Sequence, residues 1–452
     1  MIVYSRNITP RLRFIMDFFA GEMSGGEWTI TTNKAEFISS SDAKINYSDA
    51  HFDTRCLKII PNGLLFETVI QPQQIICTGQ DGYKVFFKNQ SDTGFDIFAA
   101  SFYLLSRYEE YLPHPKDKFG RFSHESSLAF KEGFLQQPLI NVWAGQLKKI
   151  ISKKFPSCNF TKKSISFLPT YDIDMAWSYR NKGFLRNAGN LVKDFFSFRF
   201  KHVLRRLKVL SGMENDPFDT FAWLNSLHEK HRIEPFYFFL VAEKVSVKDK
   251  NISPHHSAMR KLIAEHASRY QIGLHPSWQS FYNKNILRQE KDILEKIAGK
   301  TVTASRQHYI KLDIPRTYNE LADAGLLYDY SMGYPAANGF RASVASPFKW
   351  YDLKKEAVSP LTIFPFCFME GNSAIYQKQT PEEGLQELLN LYSRVQAVDG
   401  FFCMIWHNSS LTNEAPYKAW RDIYEKFIVE ISASEAYRSS YPERSWPYPM
   451  PR

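Results

Sequence analysis

Seven stretches in the second half of the chain share one pattern: a short apolar run that closes on a polar, chemically capable residue. They are ISFLPTYDID, closing on Asp172 and Asp174; EPFYFFLVAEK, near Glu243; YQIGLHPSW, on His275; TASRQHY, on Arg306 and His308; LLYDYS, on Asp329; LTIFPFCFME, on Glu370; and FFCMIWHNSS, on His407. Helical spacing appears between them, as in Met259, Leu262, Ile263 and His266, or Leu385, Leu388, Leu389, Tyr392 and Val395. Strands alternating with helices imply a mostly parallel sheet with helices outside. Seven such strands predict an α/β fold, a distorted (β/α)7 barrel, whose strand ends gather their side chains on one rim.

At 452 residues the chain is long for one domain. Residues 1–160 read as a smaller N-terminal α+β domain, without strand–helix alternation. KIIPNGLLFETVI and QQIICTGQDGYKVFF each predict a β-hairpin, and Asp96 to Leu112 a helix. Residues 161–436 form the barrel, and 437–452 a Pro-rich extended tail. Asn215-Asp216-Pro217 predicts a helix start.

Net charge is +10, but Lys and Arg are spread over the whole chain, which favours an anionic partner and argues against nucleic acid. Gly-rich phosphate loops and dinucleotide fingerprints are absent, so no nucleotide cofactor is expected. The five cysteines form no Cys-x-x-Cys pair; with no secretory signal visible and no apolar run near the ~20 residues of a membrane span, a cytoplasmic location is expected. The stretch 184–210 interrupts the rhythm with seven basic residues against Asp194, interleaved with Phe195, Phe196, Phe198 and Phe200. A helix pair with its apolar side on the barrel and its charges solvated is expected there. The alternatives are a cover over the site, a hold on an anionic substrate, or contact with a membrane surface.

Asp172 and Asp174 flank Ile173, so strand geometry points both carboxylates to one side. One can ligate a divalent metal while the other takes a proton from water acidified by that cation; an Asx turn that ends the strand is the structural alternative. With His275 and His308 they make an N/O donor set suited to zinc or another first-row divalent ion. His407 can serve as general acid and Arg306 as the partner of Asp172. Asp329 and Glu370 are candidates to orient these groups or to bind substrate hydroxyls. Trp278 and Trp406 are candidates to stack on a sugar.

In order, Thr170-Tyr171-Asp172-Ile173-Asp174, Gly273-Leu274-His275, Arg306-Gln307-His308-Tyr309 and Trp406-His407 resemble the motifs of polysaccharide deacetylases of the carbohydrate esterase four type, over roughly residues 163–431. The resemblance implies a seven-stranded (β/α) barrel and metal-dependent removal of N- or O-acetyl groups from a carbohydrate substrate. By that likeness Asp172 is the base, Asp174 and His275 are metal ligands, Arg306 orients the base and His407 is the acid. Two features depart from the family. Its aspartates are usually adjacent, and a second metal His usually follows the first by four residues, where this chain has Gln279. Either His308 completes the shell or metal binding is weakened. LLSRYEEYLPHPKDKFGRF is similar to a domain that precedes such barrels in bacterial deacetylase-like proteins, which implies no activity for it. The expected function is deacetylation of a sugar or glycan precursor. The alternatives are a carbohydrate-binding pseudoenzyme that has lost metal and a metal-dependent amidase acting on a small cyclic amide.

Overall fold

The computed structural model describes residues 1–23, 26–161 and 163–434; the Pro-rich segment 437–452 lies outside them. The N-terminal region opens with the strands β1 (Ile2–Ser5), β2 (Thr29–Thr31), β3 (Lys44–Tyr47) and β4 (Leu57–Ile59), all parallel and ordered β2-β1-β3-β4. The helices Pro10–Met23 and Lys34–Ser39 connect the first three. Strand–helix alternation, not expected here, thus begins at residue 2.

The hairpin expected in KIIPNGLLFETVI does not form. Asn62 donates its N–H to Asp96 Oδ2 (2.7 Å), Gly63 turns the chain at φ 117°, and Leu64 and Leu65 are buried as a single helical turn. Burial of that apolar pair takes the place of strand pairing. The second hairpin does form, from β5 (Thr78–Gln80) and β6 (Tyr83–Val85) around Asp81-Gly82. The helix predicted to Leu112 is capped by Asp96 but runs only Ile97–Leu105, ending before Arg107 at φ 54°.

The barrel strands are β7 (Ser166–Ile173), β8 (Phe236–Phe239), β9 (Gln271–Leu274), β10 (Ala304–Ser305), β11 (Tyr328–Asp329), β12 (Phe348–Asp352), β13 (Ala357–Ile363), β14 (Phe368–Met369) and β15 (Phe401–His407). They pair in the order β12-β13-β11-β10-β9-β8-β7-β15-β14, parallel throughout except β12 against β13. LTIFPFCFME, read as one strand, is two: β13 and β14, parted at Pro365, which has no N–H to give a ladder.

Alternation decides what lies inside. Leu168, Phe236, Phe238, Ala304, Tyr330, Phe364, Phe401, Cys403 and Ile405 form one buried cluster, while their neighbours Tyr171, Tyr237, Phe402, Met404 and Trp406 belong to the larger core shared with the helices. Phe364, just after β13, meets Phe401 of β15 with ring centroids 5.6 Å apart, although the two strands stand near opposite ends of the pairing order. The sheet is therefore rolled into a distorted (β/α) barrel around this inner cluster, as expected. Gly273 has a packing reason: a Cβ there would sit 2.6 Å from the Phe238 ring and 3.0 Å from the Ala304 carbonyl.

The N-terminal region is joined to the barrel through charge as well as core. Glu110 is buried between Arg107 (2.8 Å) and Arg341 (2.9 and 2.5 Å), and Arg107 also donates to the Arg341 carbonyl and to the Tyr334 hydroxyl. The helix predicted to start at Pro217 begins at Phe221 because Asp216 is engaged elsewhere. Its carboxylate accepts the N–H groups of Ser178, Tyr179, Arg180 and Phe218, and so ties both roots of the intervening insertion together at the strand-end rim.

Candidate active site

The inward column of β7 runs Leu168, Thr170, Asp172 and, one step past the strand, Asp174. His407 ends the inward column of β15, after Phe401, Cys403 and Ile405. His275 follows β9, and Arg306 and His308 follow β10. Six side chains from the ends of four strands are thus delivered to one rim by the same alternation.

Three of these residues converge on a point. Asp174 Oδ1 lies 3.1 Å from His275 Nε2 and 3.4 Å from His308 Nε2, and the three ligand atoms fall within 4.8 Å of one another. Each imidazole is oriented through its other nitrogen. His275 Nδ1 donates to the Arg306 carbonyl (2.5 Å) and His308 Nδ1 pairs with Asp249 Oδ1 (3.1 Å), which turns both Nε2 atoms inward. Asp249 is buried and also accepts from Trp278 N–H (2.8 Å) and Gln279 Nε2 (3.2 Å). Gln279 is therefore committed to Asp249 and to the Lys244 carbonyl (2.9 Å).

Electrostatics register the crowding. Burial would lift the Asp174 carboxyl, but the imidazoles of His308, His275 and His407 hold it well below the usual carboxylate range. Burial works against charge on His308, yet Asp174 and Asp249 outweigh it and raise its pKa to about 9. Asp174 Oδ1 is buried without a hydrogen-bond donor of good geometry, although two imidazole nitrogens face it. A divalent cation fits these residues: two nitrogens and one carboxylate oxygen aimed at a common point are the three-protein-ligand set of catalytic zinc sites.

Asp172 stands beside this trio. Arg306 Nη1 donates to Asp172 Oδ1 (2.9 Å) and Thr170 Oγ1 (2.7 Å), its Nε holds the Tyr330 carbonyl (3.0 Å), and its guanidinium lies 4.3 Å from the Phe238 ring centroid. Asp172 Oδ2 faces the trio, 3.9 Å from His275 Nε2. Across the rim, His407 Nδ1 meets Glu370 Oε1 at 2.6 Å, and its Nε2 lies 3.7 Å from Asp174 Oδ2. Burial disfavours the charged ring, but Glu370, Asp174 and Asp172 raise its pKa to about 10. Glu370 thus orients His407.

Asp329 and Trp406, expected at the open rim, are both fully buried. Asp329 is fully buried with its oxygens on Ser305 and Ser331, and burial raises its pKa to about 6 despite those bonds. These bonds tie it to the strand ends, buried beneath the rim. Trp406 precedes the inward His407, so alternation turns it outward, where it is buried against Phe368 and Tyr424. Trp278 does stand at the rim, partly exposed, near Phe119 (centroids 6.0 Å) and Tyr309 (5.5 Å), with Lys311 Nζ 4.2 Å from its ring. Glu243 faces the outer surface, bonded to His255 and Gln289.

Sequence reasoning missed Asp249, Thr170, Phe119 and Arg121. Phe119 and Arg121 come from the N-terminal region: Arg121 donates to the carbonyl of Tyr309, within a turn where Tyr309 (φ 60°) and Ile310 (φ 50°) both sit in the left-handed region directly after His308. The alternation of Thr170 with Asp172 was the available signal for Thr170; the other three lie on loops.

Residues 1–156 match a family of unknown function, DUF7033. No curated protein matches the chain. Among solved structures the chain is similar to a protein from Mycobacterium smegmatis assigned as a polysaccharide deacetylase, with a TM-score of 0.39 and 14% identity over 61% of this chain and 86% of that one. It is also similar to PuuE allantoinase (TM-score 0.39, 12% identity, 63% of this chain and 91% of that one). A third similar structure is the polysaccharide deacetylase Bc1974 from Bacillus cereus (TM-score 0.30, 11% identity, 60% and 89%). Likeness at this level carries no argument about chemistry, and what the site can do rests on its own geometry.

Proposed function

We propose that the chain is a divalent-metal-dependent hydrolase that removes an acetyl or similar acyl group from a sugar or glycan precursor. The observation that carries this is the convergence of Asp174, His275 and His308 on one point, with an Arg306-held carboxylate on one side and a Glu370-held imidazole on the other. Asp174, His275 and His308 would hold the cation, zinc by the donor set, which when bound supplies Lewis-acid polarisation of the carbonyl and acidifies water. Asp172, fixed by Arg306 through Oδ1, takes the proton from attacking water on Oδ2. His407, held through Nδ1 by Glu370, gives a proton from Nε2 to the departing amine or alkoxide. Trp278 and Phe119, with Lys248 and Lys311 against their rings, line the rim beside this centre where the sugar would lie.

We take residues 1–160 and 161–436 as two structural units, supported by the family match ending at residue 156 and by β7 beginning at Ser166. The N-terminal unit then has a role, since Phe119 and Arg121 complete the rim.

The test is metal content and acetate release. Protein purified without chelator should carry about one divalent ion per chain and release acetate from acetylated chito-oligosaccharides, both lost on exhaustive chelation and restored by zinc. A chain that binds the oligosaccharide with no metal and no turnover would be a binding pseudoenzyme.

A further inference from the structure

Between Asp174 and Asp216 the chain leaves the rim as two helices, Phe184–Phe196 and Phe200–Leu210. Expectation placed their apolar side on the barrel. The arrangement is the reverse. Phe184, Leu185, Phe196 and Phe198 are 85%, 86%, 75% and 81% exposed, and Phe195, Phe200, Leu204 and Leu207 are exposed along the same two stripes. The spacing 185, 192, 195, 196 in one helix and 200, 204, 207 in the other makes each stripe continuous. The buried residues of the stretch are Asn187, Arg206 and Val209: Arg206 donates to Asn187 Oδ1 (3.0 Å) and Asp194 Oδ2 (2.9 Å), and stacks over Tyr179 at 4.8 Å. A hairpin whose two helices are pinned to each other by an ion pair and an amide, and to the root at Tyr179 by Asn187 and Arg206, with its aromatic face outward, has the polarity of an interfacial element and not of a globular one.

Charge indicates what covers that face. Lys193, Arg199 and Lys201 are exposed and engaged by no ion pair among the described residues. The one acidic residue of the stretch, Asp194, is taken by Arg206, and Arg205 is paired with Glu214 and Glu414. An apolar stripe flanked by uncompensated cations is complementary to a surface that is apolar below and anionic above. No helix among the described residues is long and apolar enough to cross a membrane.

We propose that the hairpin 184–210 docks flat on an anionic lipid surface, its phenylalanines entering the headgroup boundary and Lys193, Arg199 and Lys201 meeting lipid phosphates. The experiment is co-sedimentation of the full chain with vesicles of mixed phosphatidylglycerol and phosphatidylcholine, and of phosphatidylcholine alone. Binding should be at least about tenfold stronger to the anionic vesicles and should weaken as salt is raised. Phe196→Asp with Phe198→Asp should lower it at least about tenfold, with thermal unfolding unchanged because both side chains face outward. A second variant, Lys193→Glu with Arg199→Glu and Lys201→Glu, should abolish the preference for anionic vesicles while leaving the apolar face intact. Three results would overturn the proposal: absence of wild-type binding, equal binding of the double aspartate variant, or equal binding to both vesicle types. Dimerisation of the wild type without vesicle binding, lost in the aspartate variant, would also overturn it and assign the face to a second copy of the chain.

Discussion

Replacing His308, Asp249 and Gln279 in turn should give a ladder of metal affinities whose order follows from the geometry. His308 supplies one of three converging donors, so His308→Ala removes a donor outright and should weaken zinc binding by more than about 100-fold, beyond the ~10–100-fold that supporting groups are worth. Asp249 touches the site only through His308 Nδ1 at 3.1 Å. Asp249→Asn keeps the shape and an acceptor oxygen but removes the charge behind the imidazole, and should cost roughly tenfold, about 1.4 kcal/mol. Gln279 is one step further out: its amide donates to Asp249 Oδ2 and to the Lys244 carbonyl. Gln279→Ala loses those hydrogen bonds, each worth about 1 kcal/mol, only part of which reaches the site, so the loss should stay under about tenfold. Competition against a chromophoric chelator measures all three on one scale. If Gln279→Ala releases the cation while His308→Ala retains it, the ligand set follows the family spacing with a changed residue, and the assignment of His308 is wrong.

Asp172→Asn should retain metal and lose turnover by roughly 10²–10⁴-fold, the usual contribution of general acid–base catalysis; loss of metal instead would make Asp172 a ligand. Arg121→Ala, far along the chain from the barrel, should weaken zinc binding several-fold by freeing the strained turn after His308, measured in the same chelator assay. Glu110→Gln should destabilise the fold by about 3–5 kcal/mol in urea, by stranding the buried Arg107 and Arg341. Burial would raise the Glu110 pKa, but Arg341 and Arg107 lower it from 4.5 to about 2, which by itself corresponds to ~3 kcal/mol. A depressed carboxyl stabilises fully above its unfolded value, so the gap between wild type and variant should be complete above about pH 4.5 and close as pH falls towards 2.

Much of the site was legible because a barrel strand translates sequence parity into direction. The Asp172–Ile173–Asp174 spacing puts both carboxylates inside, and His407 follows an inward run of odd-numbered residues. The same parity, applied to Trp406, turns it away from any substrate. Asp329 misled because its strand, β11, ends there, and Ser331 folds back over the carboxylate. Residues supplied by loops were not legible. Asp249 sits ten positions past β8 in a polar stretch without periodicity, and Phe119 and Arg121 reach the rim from the N-terminal region. The N-terminal parallel sheet was hidden by its short strands, of three or four residues, which show too little alternation to register.

The insertion 184–210 illustrates a different limit. An amphipathic sequence states that a helix has two unlike faces; it does not state which of them the protein covers. For most helices the answer is settled by burial of apolar area, roughly 25 cal/mol per Å², which would favour the phenylalanines inside. Here the inward face is specified by partners that sequence position does not bring together: Asn187 and Asp194 on one helix, Arg206 on the other, and Tyr179 at the root. Asp216 fixes that root by accepting three N–H groups from its start and one from its end, which leaves the two helices only the rim to rise from. The apolar stripes are then left uncovered by the other described residues, and an exposed aromatic surface of this kind calls for an occupant outside them.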